Sequence, residues 1–357
     1  MTGDWWEYLL TFAVSVILCW FLTPVAMKVA LRIGVMDRPG GHKGHDSPVP
    51  YLGGVAIVMA FAGSVTAAAV IRPPHSGMDE LVVVLAVAVG LAVVGLLDDL
   101  RDLSPAVRLV LEVVAGLAIW EVGAGVQVTG TPWVDVVVTV FWVVGVTNAF
   151  NLLDNMDGLA AGLAGIACAA YFVIAATNGQ YLVAGLSVGL AGCALGFLRH
   201  NFHPARIYMG DGGALFLGFL VAYLGIKLRF DGSRSVSFLV PMIVCSVPIL
   251  DTTLVTITRL AKGRSPFEGG RDHVSHRLVK MGLPIRVAVA GIYFASASIG
   301  VLALVVSRVD RASAWLLAGL VGLTLVLGGI LLAMVPVYPE SRSRHFAITE
   351  QPEDRVD

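Results

Sequence analysis

Charge is what this sequence has least of: 14% of its 357 residues are charged, 57% are hydrophobic, and the mean hydropathy is +0.83. A soluble domain carries about a quarter charged residues, so water is a poor candidate for the main solvent of this chain. Cysteine is sparse as well. Cys19, Cys168, Cys193 and Cys245 sit in apolar stretches without C-x-x-C spacing, so neither a disulfide framework nor a zinc site is suggested. There is no internal repeat and no low-complexity linker. A net charge of −1 gives no electrostatic footprint for nucleic acid. Basic residues are missing altogether between Arg108 and Arg199, so any carboxylate in that stretch lacks a counter-ion nearby in sequence.

Long apolar runs are abundant. A helix needs about 20 apolar residues to cross a bilayer core, and hydropathy gives eleven such segments. They are Tyr8 to Met27, Tyr51 to Ile71, Leu81 to Leu97, Ala106 to Val122, Trp133 to Phe150 and Leu159 to Thr177. Tyr181 to Leu198, Gly213 to Leu228, Ser237 to Thr258, Ile285 to Val306 and Ala312 to Val335 complete the set. The expected fold is an all-α polytopic membrane bundle, one catalytic domain over residues 1–335, with 336–357 as a mobile cytoplasmic tail. The acidic start followed by Lys28, Arg32, Arg38 and Lys43 places the N-terminus outside. That orientation puts 18 of the 24 basic residues on the cytoplasmic side and 6 outside, as the positive-inside rule requires. Asp98, Asp99, Asp102, Asp154, Asp157, Asp211 and Asp251 all fall in cytoplasmic loops or at the cytoplasmic ends of spans. Idle charges are expensive there, so the grouping points to a cation, a proton task or both.

Four segments carry this chemistry. In Gly95-Leu-Leu-Asp98-Asp99-Leu-Arg-Asp102, a continuing helix sets Asp98 and Asp102, or Asp99 and Asp102, on one face. The bland alternative is a solvated acidic loop paired with Arg101 and Arg108. In Asn148-Ala-Phe-Asn151-Leu-Leu-Asp154-Asn155-Met-Asp157-Gly158, amide and carboxylate oxygens suit hard Mg²⁺ or a nucleobase. In Asn201-Phe-His-Pro-Ala-Arg-Ile-Tyr208-Met-Gly210-Asp211-Gly212-Gly213, glycines permit close approach of backbone to a ligand, and Asp211 anchors a metal or merely caps the next helix. Tyr208 suits base stacking or a membrane interface. The last segment, Arg271-Asp-His273-Val-Ser275-His276-Arg277, offers imidazoles and guanidiniums to a diphosphate.

These segments in this order, with Lys43-Gly-His45-Asp-Ser-Pro48-Val-Pro50-Tyr-Leu-Gly53-Gly54 ahead of them, resemble the polyprenyl-phosphate N-acetylhexosamine-1-phosphate transferases, the family of MraY and WecA. The third segment is more similar to the WecA and TagO branch than to the muramyl-pentapeptide branch. The resemblance implies that Asp98 and Asp99 are the catalytic pair and that Asp211 ligates Mg²⁺, or Mn²⁺ in its place, with Asn151 beside it. It implies that Asp154, Asp157, Asn201 and Tyr208 surround the nucleoside. Arg271, His273 and His276 then hold the diphosphate, and Lys43 and His45 support the lipid phosphate. Two positions depart from the family pattern: Ser275 stands at the middle histidine of a His-x-His-His loop, and Asn155 stands where a glycine is usual. If the loop is a clamp, Ser275 needs only to be small and polar.

The implied partners are a UDP-N-acetylhexosamine, polyprenyl phosphate and the membrane itself. The expected location is the plasma or inner membrane, with the active site on its cytoplasmic face and room for a homodimer. The implied reaction is Mg²⁺-dependent and releases UMP, by direct attack of the lipid phosphate or through an aspartyl intermediate. A muramyl-pentapeptide enzyme is the alternative within the family. An ion-coupled transporter or flippase is the alternative outside it, although transport favours polar groups at the bilayer midplane. A membrane scaffold would leave the aspartate, amide and glycine pattern unexplained.

Overall fold

The computed structural model describes residues 4–37, 48–71, 73, 77–230 and 234–337. Lys43, His45 and the tail from 338 onward lie outside the described residues. In chain order the elements begin with α1 Trp5–Ile33, the two-residue strands β1 Met36–Asp37 and β2 Val49–Pro50, α2 Gly53–Ile71, α3 Met78–Arg101 and α4 Pro105–Glu121. They continue with α5 Pro132–Leu153, α6 Leu159–Thr177, α7 Tyr181–Asn201, α8 Gly210–Lys227, α9 Arg234–Val244 and α10 Ser246–Leu260. Short α11 Val274–Lys280 precedes α12 Ile285–Val306 and α13 Arg311–Ala333. The protein is an all-α polytopic membrane bundle, in which nine of the described helices are long and apolar enough to span a bilayer.

Nine differs from the eleven spans read from hydropathy for two reasons. At 17 residues, α4 is shorter than all nine helices that qualify as spans. The stretch expected to run unbroken from Ser237 to Thr258 is instead two helices bent by 68° around Cys245. Pro248 explains the bend, because it has no N–H for the carbonyl four residues back and its ring crowds that carbonyl. The break is enclosed by protein, where the Tyr171 hydroxyl lies 3.2 Å from Cys245 Sγ. Pro24 opens a smaller gap in α1 by leaving the Trp20 carbonyl without its helical donor. His200 Nε2 lies 3.2 Å from that oxygen.

Central α8 is buried from Gly212 through Ile226 and packs against α2, α3, α5, α6, α7 and α9. At the periphery, α13 buries only Ala314, Val321 and Gly329 against the rest of the protein. Glycines let backbones meet at the N-terminal end of α8. A Cβ on Gly95 of α3 would lie 2.4 Å from the Asp211 carbonyl carbon and 2.5 Å from the Gly212 nitrogen. A Cβ on Gly54 of α2 would lie 2.4 Å from the Gly213 nitrogen. Backbone hydrogen bonds from Gly53 N to Tyr208 O and Gly54 N to Met209 O, both 2.9 Å, fasten α2 to the segment before α8.

Since Gly95 abuts the peptide of Asp211, Gly95→Ala should push that carboxylate away from α3. A displacement of about 1 Å at a reacting centre costs about a hundredfold in rate, and turnover should fall by about that factor. Activity and melting temperature of the purified variant check this; wild-type turnover would mean that the α3–α8 contact does not position the site.

Candidate active site

Asp98 and Asp99 occupy the last turn of α3, which ends where Asp102 turns left-handed at φ 49° and its N–H bonds the Asp98 carbonyl at 2.9 Å. The chain reverses at once, because Ser104 caps α4 and Pro105 starts it without needing a donor. One turn into α4 comes Arg108. Its Nη1 donates to Asp98 Oδ2 at 2.6 Å and to Asp211 Oδ2 at 2.9 Å. The other Asp98 oxygen accepts from Leu103 N at 2.7 Å.

Asp99 faces the start of α8. Its Oδ1 accepts from the Asp211 N–H at 3.1 Å, and its Oδ2 lies 3.5 Å from the Gly212 nitrogen. A carboxylate at a helix N-terminus is favoured by the amides it meets and by the helix dipole. Gly210, at φ 69°, makes this approach possible, since a Cβ there would stand 2.4 Å from Asp99 Oδ2. The Tyr51 hydroxyl donates to the Asp99 carbonyl at 2.9 Å, holding the end of α3 from the α2 side.

Asn151, in the last turn of α5, donates from Nδ2 to Asp211 Oδ1 at 2.9 Å. Thus Asp98, Asp99, Asn151 and Asp211, from three helices, are brought into one centre, and Arg108 joins it. Asp154, just past α5, is partly buried; burial, followed by the charges of Asp211, Asp99 and Asp157, raises its carboxyl to about 8. It is therefore mainly protonated near neutral pH.

Beside this centre the loops between α5 and α6 and between α7 and α8 are sewn together. Asp157 Oδ2 meets His203 Nδ1 at 2.7 Å and accepts from Ala205 N at 2.9 Å. Buried Asn201 accepts from Gly158 N at 3.1 Å and donates to the Ile207 carbonyl at 2.9 Å. Both ends of that carboxamide thus shape the loops. Tyr208 is half-buried, and burial followed by Asp157, Asp37 and Asp154 pushes its phenol upward, which keeps the hydroxyl protonated.

The α10–α12 connection is built around buried ion pairs. Arg259 is fully buried and donates to both oxygens of Asp272, at 2.7 and 2.8 Å. Arg277, named by sequence as a diphosphate donor, is buried and donates to the carbonyls of Leu332 at 2.9 Å and Val335 at 3.0 Å, closing the end of α13. His273 Nδ1 meets Asp251 Oδ2 at 2.7 Å, in the protein interior. His276 is the more accessible imidazole, with exposed Arg271 among the charges around it. Burial, then the charges of His273 and Arg271, lowers it to about 4, so it is neutral near pH 7.

These placements separate the two histidines. His273→Ala should leave the buried Asp251 carboxylate with the Val274 N–H but without its imidazole, costing about 3 kcal/mol of stability. His276→Ala should leave the melting temperature near wild type and cost about 2 to 4 kcal/mol in transition-state stabilisation. Thermal unfolding and steady-state rates of both variants check the split; near-wild-type rates in both, on folded protein, would return the loop to membrane anchoring.

Sequence reasoning missed Glu112. It lies one turn beyond Arg108 on α4, is 1% exposed, and accepts from Asn148 Nδ2 through Oε2. Its Oε1 has no hydrogen-bond partner among the described residues. A carboxylate inside an apolar segment was the available signal.

The helical bundle thus gathers carboxylates, an amide and a guanidinium at one end of its spans. The chain belongs to glycosyl transferase family 4, whose model matches residues 81–229, the stretch from α3 through α8 that holds the whole acidic centre. It is 34% identical to a probable undecaprenyl-phosphate N-acetylglucosaminyl 1-phosphate transferase of Bacillus subtilis, over 85% of this chain and 86% of the relative. It is 31% identical to a decaprenyl-phosphate N-acetylglucosaminephosphotransferase of Mycobacterium tuberculosis, over 78% and 77%. The undecaprenyl-phosphate alpha-N-acetylglucosaminyl 1-phosphate transferase of Escherichia coli K12 is 28% identical, over 78% and 79%. This chain is a phosphotransferase enzyme.

Proposed function

We propose that the protein transfers N-acetylglucosamine 1-phosphate from a UDP-sugar to polyprenyl phosphate, at the cytoplasmic face of the membrane. The observation that carries this reading is the junction of Asp98, Asp99, Asn151 and Asp211 around Arg108 at one end of the bundle. An acceptor anchored in lipid and a water-soluble nucleotide can meet at such a place. The surplus of basic residues on that side supports its cytoplasmic orientation.

A phosphate oxygen of the lipid forms a bond to the β-phosphorus of the donor as the bond to the α,β-bridging oxygen breaks. That oxygen leaves with UMP, and the lipid keeps the sugar on a diphosphate. A phosphate monoester has its second pKa near about 6, so at neutral pH the acceptor is mostly dianionic and needs no strong base. The protein's geometry suits this economy. Asp98 is held by Arg108 and Leu103 N, and Asp99 by the first amides of α8, so both side chains are fixed in position to orient the reactants. Arg108 adds a guanidinium where anionic phosphates would gather.

The donor set also fits Mg²⁺. Among the described residues no three acidic, histidine or cysteine side chains form a ready metal cage, but Mg²⁺ uses one or two carboxylates and completes its shell with water and substrate phosphates. Asp211 and, after a rotation of its amide, the carbonyl oxygen of Asn151 would hold it. The ion would neutralise charge developing on the diphosphate. Purified protein supplied with UDP-N-acetylglucosamine, polyprenyl phosphate and Mg²⁺ should release UMP, and omission of any one should stop release. UMP formation without the lipid acceptor would mark a hydrolase and overturn the assignment.

A further inference from the structure

Asn155 and Ser275 are 120 residues apart in sequence and touch: Ser275 Oγ donates to Asn155 Oδ1 at 2.7 Å. Both partners are rigidly mounted. Asn155 donates from Nδ2 to the Leu152 carbonyl at 2.7 Å, so its carboxamide spans from the last turn of α5 to α11 and both of its ends are used. Ser275 is 1% exposed in the first turn of α11. That turn is itself pinned to α10, because Asp251 accepts from Val274 N at 2.6 Å and meets His273 Nδ1 at 2.7 Å.

We infer that Asn155 and Ser275 form a positioning pair that fixes the gap between the Asp154–Asp157 loop and His276, and thereby sets affinity for the nucleotide-sugar donor. Asn155 lies between Asp154 and Asp157, and Asp157 ties this loop through His203 and Ala205 N to the segment that leads to Tyr208. Ser275 directly precedes His276, beside exposed Arg271. A nucleoside diphosphate is an extended ligand of fixed length, with a base at one end and an anion at the other. Two loops that each hold one end bind it well only when their separation is set before it arrives, since ordering them on binding costs affinity. The Ser275–Asn155 hydrogen bond is a cross-link of that kind. The acceptor lipid, which has no base to reach the Asp154 loop, should be indifferent to it.

This inference rests on the proposed donor class. Its test is a double-mutant cycle on the full-length membrane protein, using Asn155→Ala, Ser275→Ala, the double variant and Ser275→Thr. Each is assayed for KM of UDP-N-acetylglucosamine, KM of polyprenyl phosphate, kcat and melting temperature. Each alanine variant should raise donor KM by about tenfold, the worth of roughly one hydrogen bond, with kcat and acceptor KM within about twofold. In the double variant donor KM should rise no further than in the worse single, because one bond cannot be lost twice. Ser275→Thr keeps the hydroxyl and should restore donor KM. Multiplying effects in the double variant, or a lower melting temperature with unmoved donor KM, would overturn the pair as a positioning device and leave it a structural tie. Wild-type protein that neither binds nor turns over a UDP-sugar defeats the proposed function and this inference together. Full wild-type turnover with an additive cycle defeats the inference alone.

Discussion

Asp211→Asn should leave a folded protein with turnover reduced by about a thousandfold or more. The side chain keeps its size, and an amide oxygen can still accept one of the two hydrogen bonds that Arg108 and Asn151 now give to the carboxylate. Arg108 also keeps Asp98 at 2.6 Å, so no guanidinium is stranded. Crowding eases as well, because Asp99 and Asp154 lose a negative neighbour. Stability should therefore move little. The charge that would hold Mg²⁺ is gone, and metal stabilisation of a phosphoryl transition state is worth several kcal/mol, which is a thousandfold or more in rate. Rates over a Mg²⁺ titration, with thermal unfolding alongside, check both halves. Wild-type turnover with unchanged Mg²⁺ dependence would remove Asp211 from the metal site.

Asp99→Asn should cost about a hundredfold to a thousandfold in kcat, with donor affinity largely retained. The native carboxylate faces two backbone N–H groups, those of Asp211 and Gly212, at 3.1 and 3.5 Å. An asparagine can present only one oxygen, so its NH₂ must point at a donor or turn away, and the first turn of α8 loses part of its hold. That turn carries Asp211, so the damage should appear in the chemical step. Asp98→Asn should also lower turnover strongly, since Asp98 shares Arg108 Nη1 with Asp211 and helps to hold that guanidinium in the centre. Calorimetric donor binding without acceptor, set against single-turnover rates, separates the effects. Loss mainly of donor affinity would move the pair to the nucleotide. A phospho-sugar adduct trapped on Asp98 or Asp99 without lipid would contradict direct attack.

Much of the fold was legible because membrane spans announce themselves by composition. The apolar runs match α1 to α8, α12 and α13 closely, and the family resemblance was carried by short segments that need no tertiary information. Hydropathy reads residue type and ignores geometry, so it joined α9 and α10 across the bend, although Pro241 and Pro248 stood in the sequence as warnings. Charges were harder to place. Pairing of Arg108 with the aspartates was foreseeable for Asp98, ten residues away, but not for Asp211, 103 residues away. Arg277 and His273 looked like ligand donors because a basic loop gives no sign of which members turn inward. Asn155 and Ser275 were noticed separately as departures, and only the fold reveals that they meet.

Which bond of the donor breaks is reported directly by label in the β-phosphorus. UDP-N-acetylglucosamine labelled at that atom, incubated with purified protein, polyprenyl phosphate and Mg²⁺, should transfer the label to the lipid fraction together with the sugar and leave unlabelled UMP in water. Label remaining in water as UDP, with only the sugar reaching the lipid, would show glycosyl transfer and contradict the phosphotransfer assigned to this site.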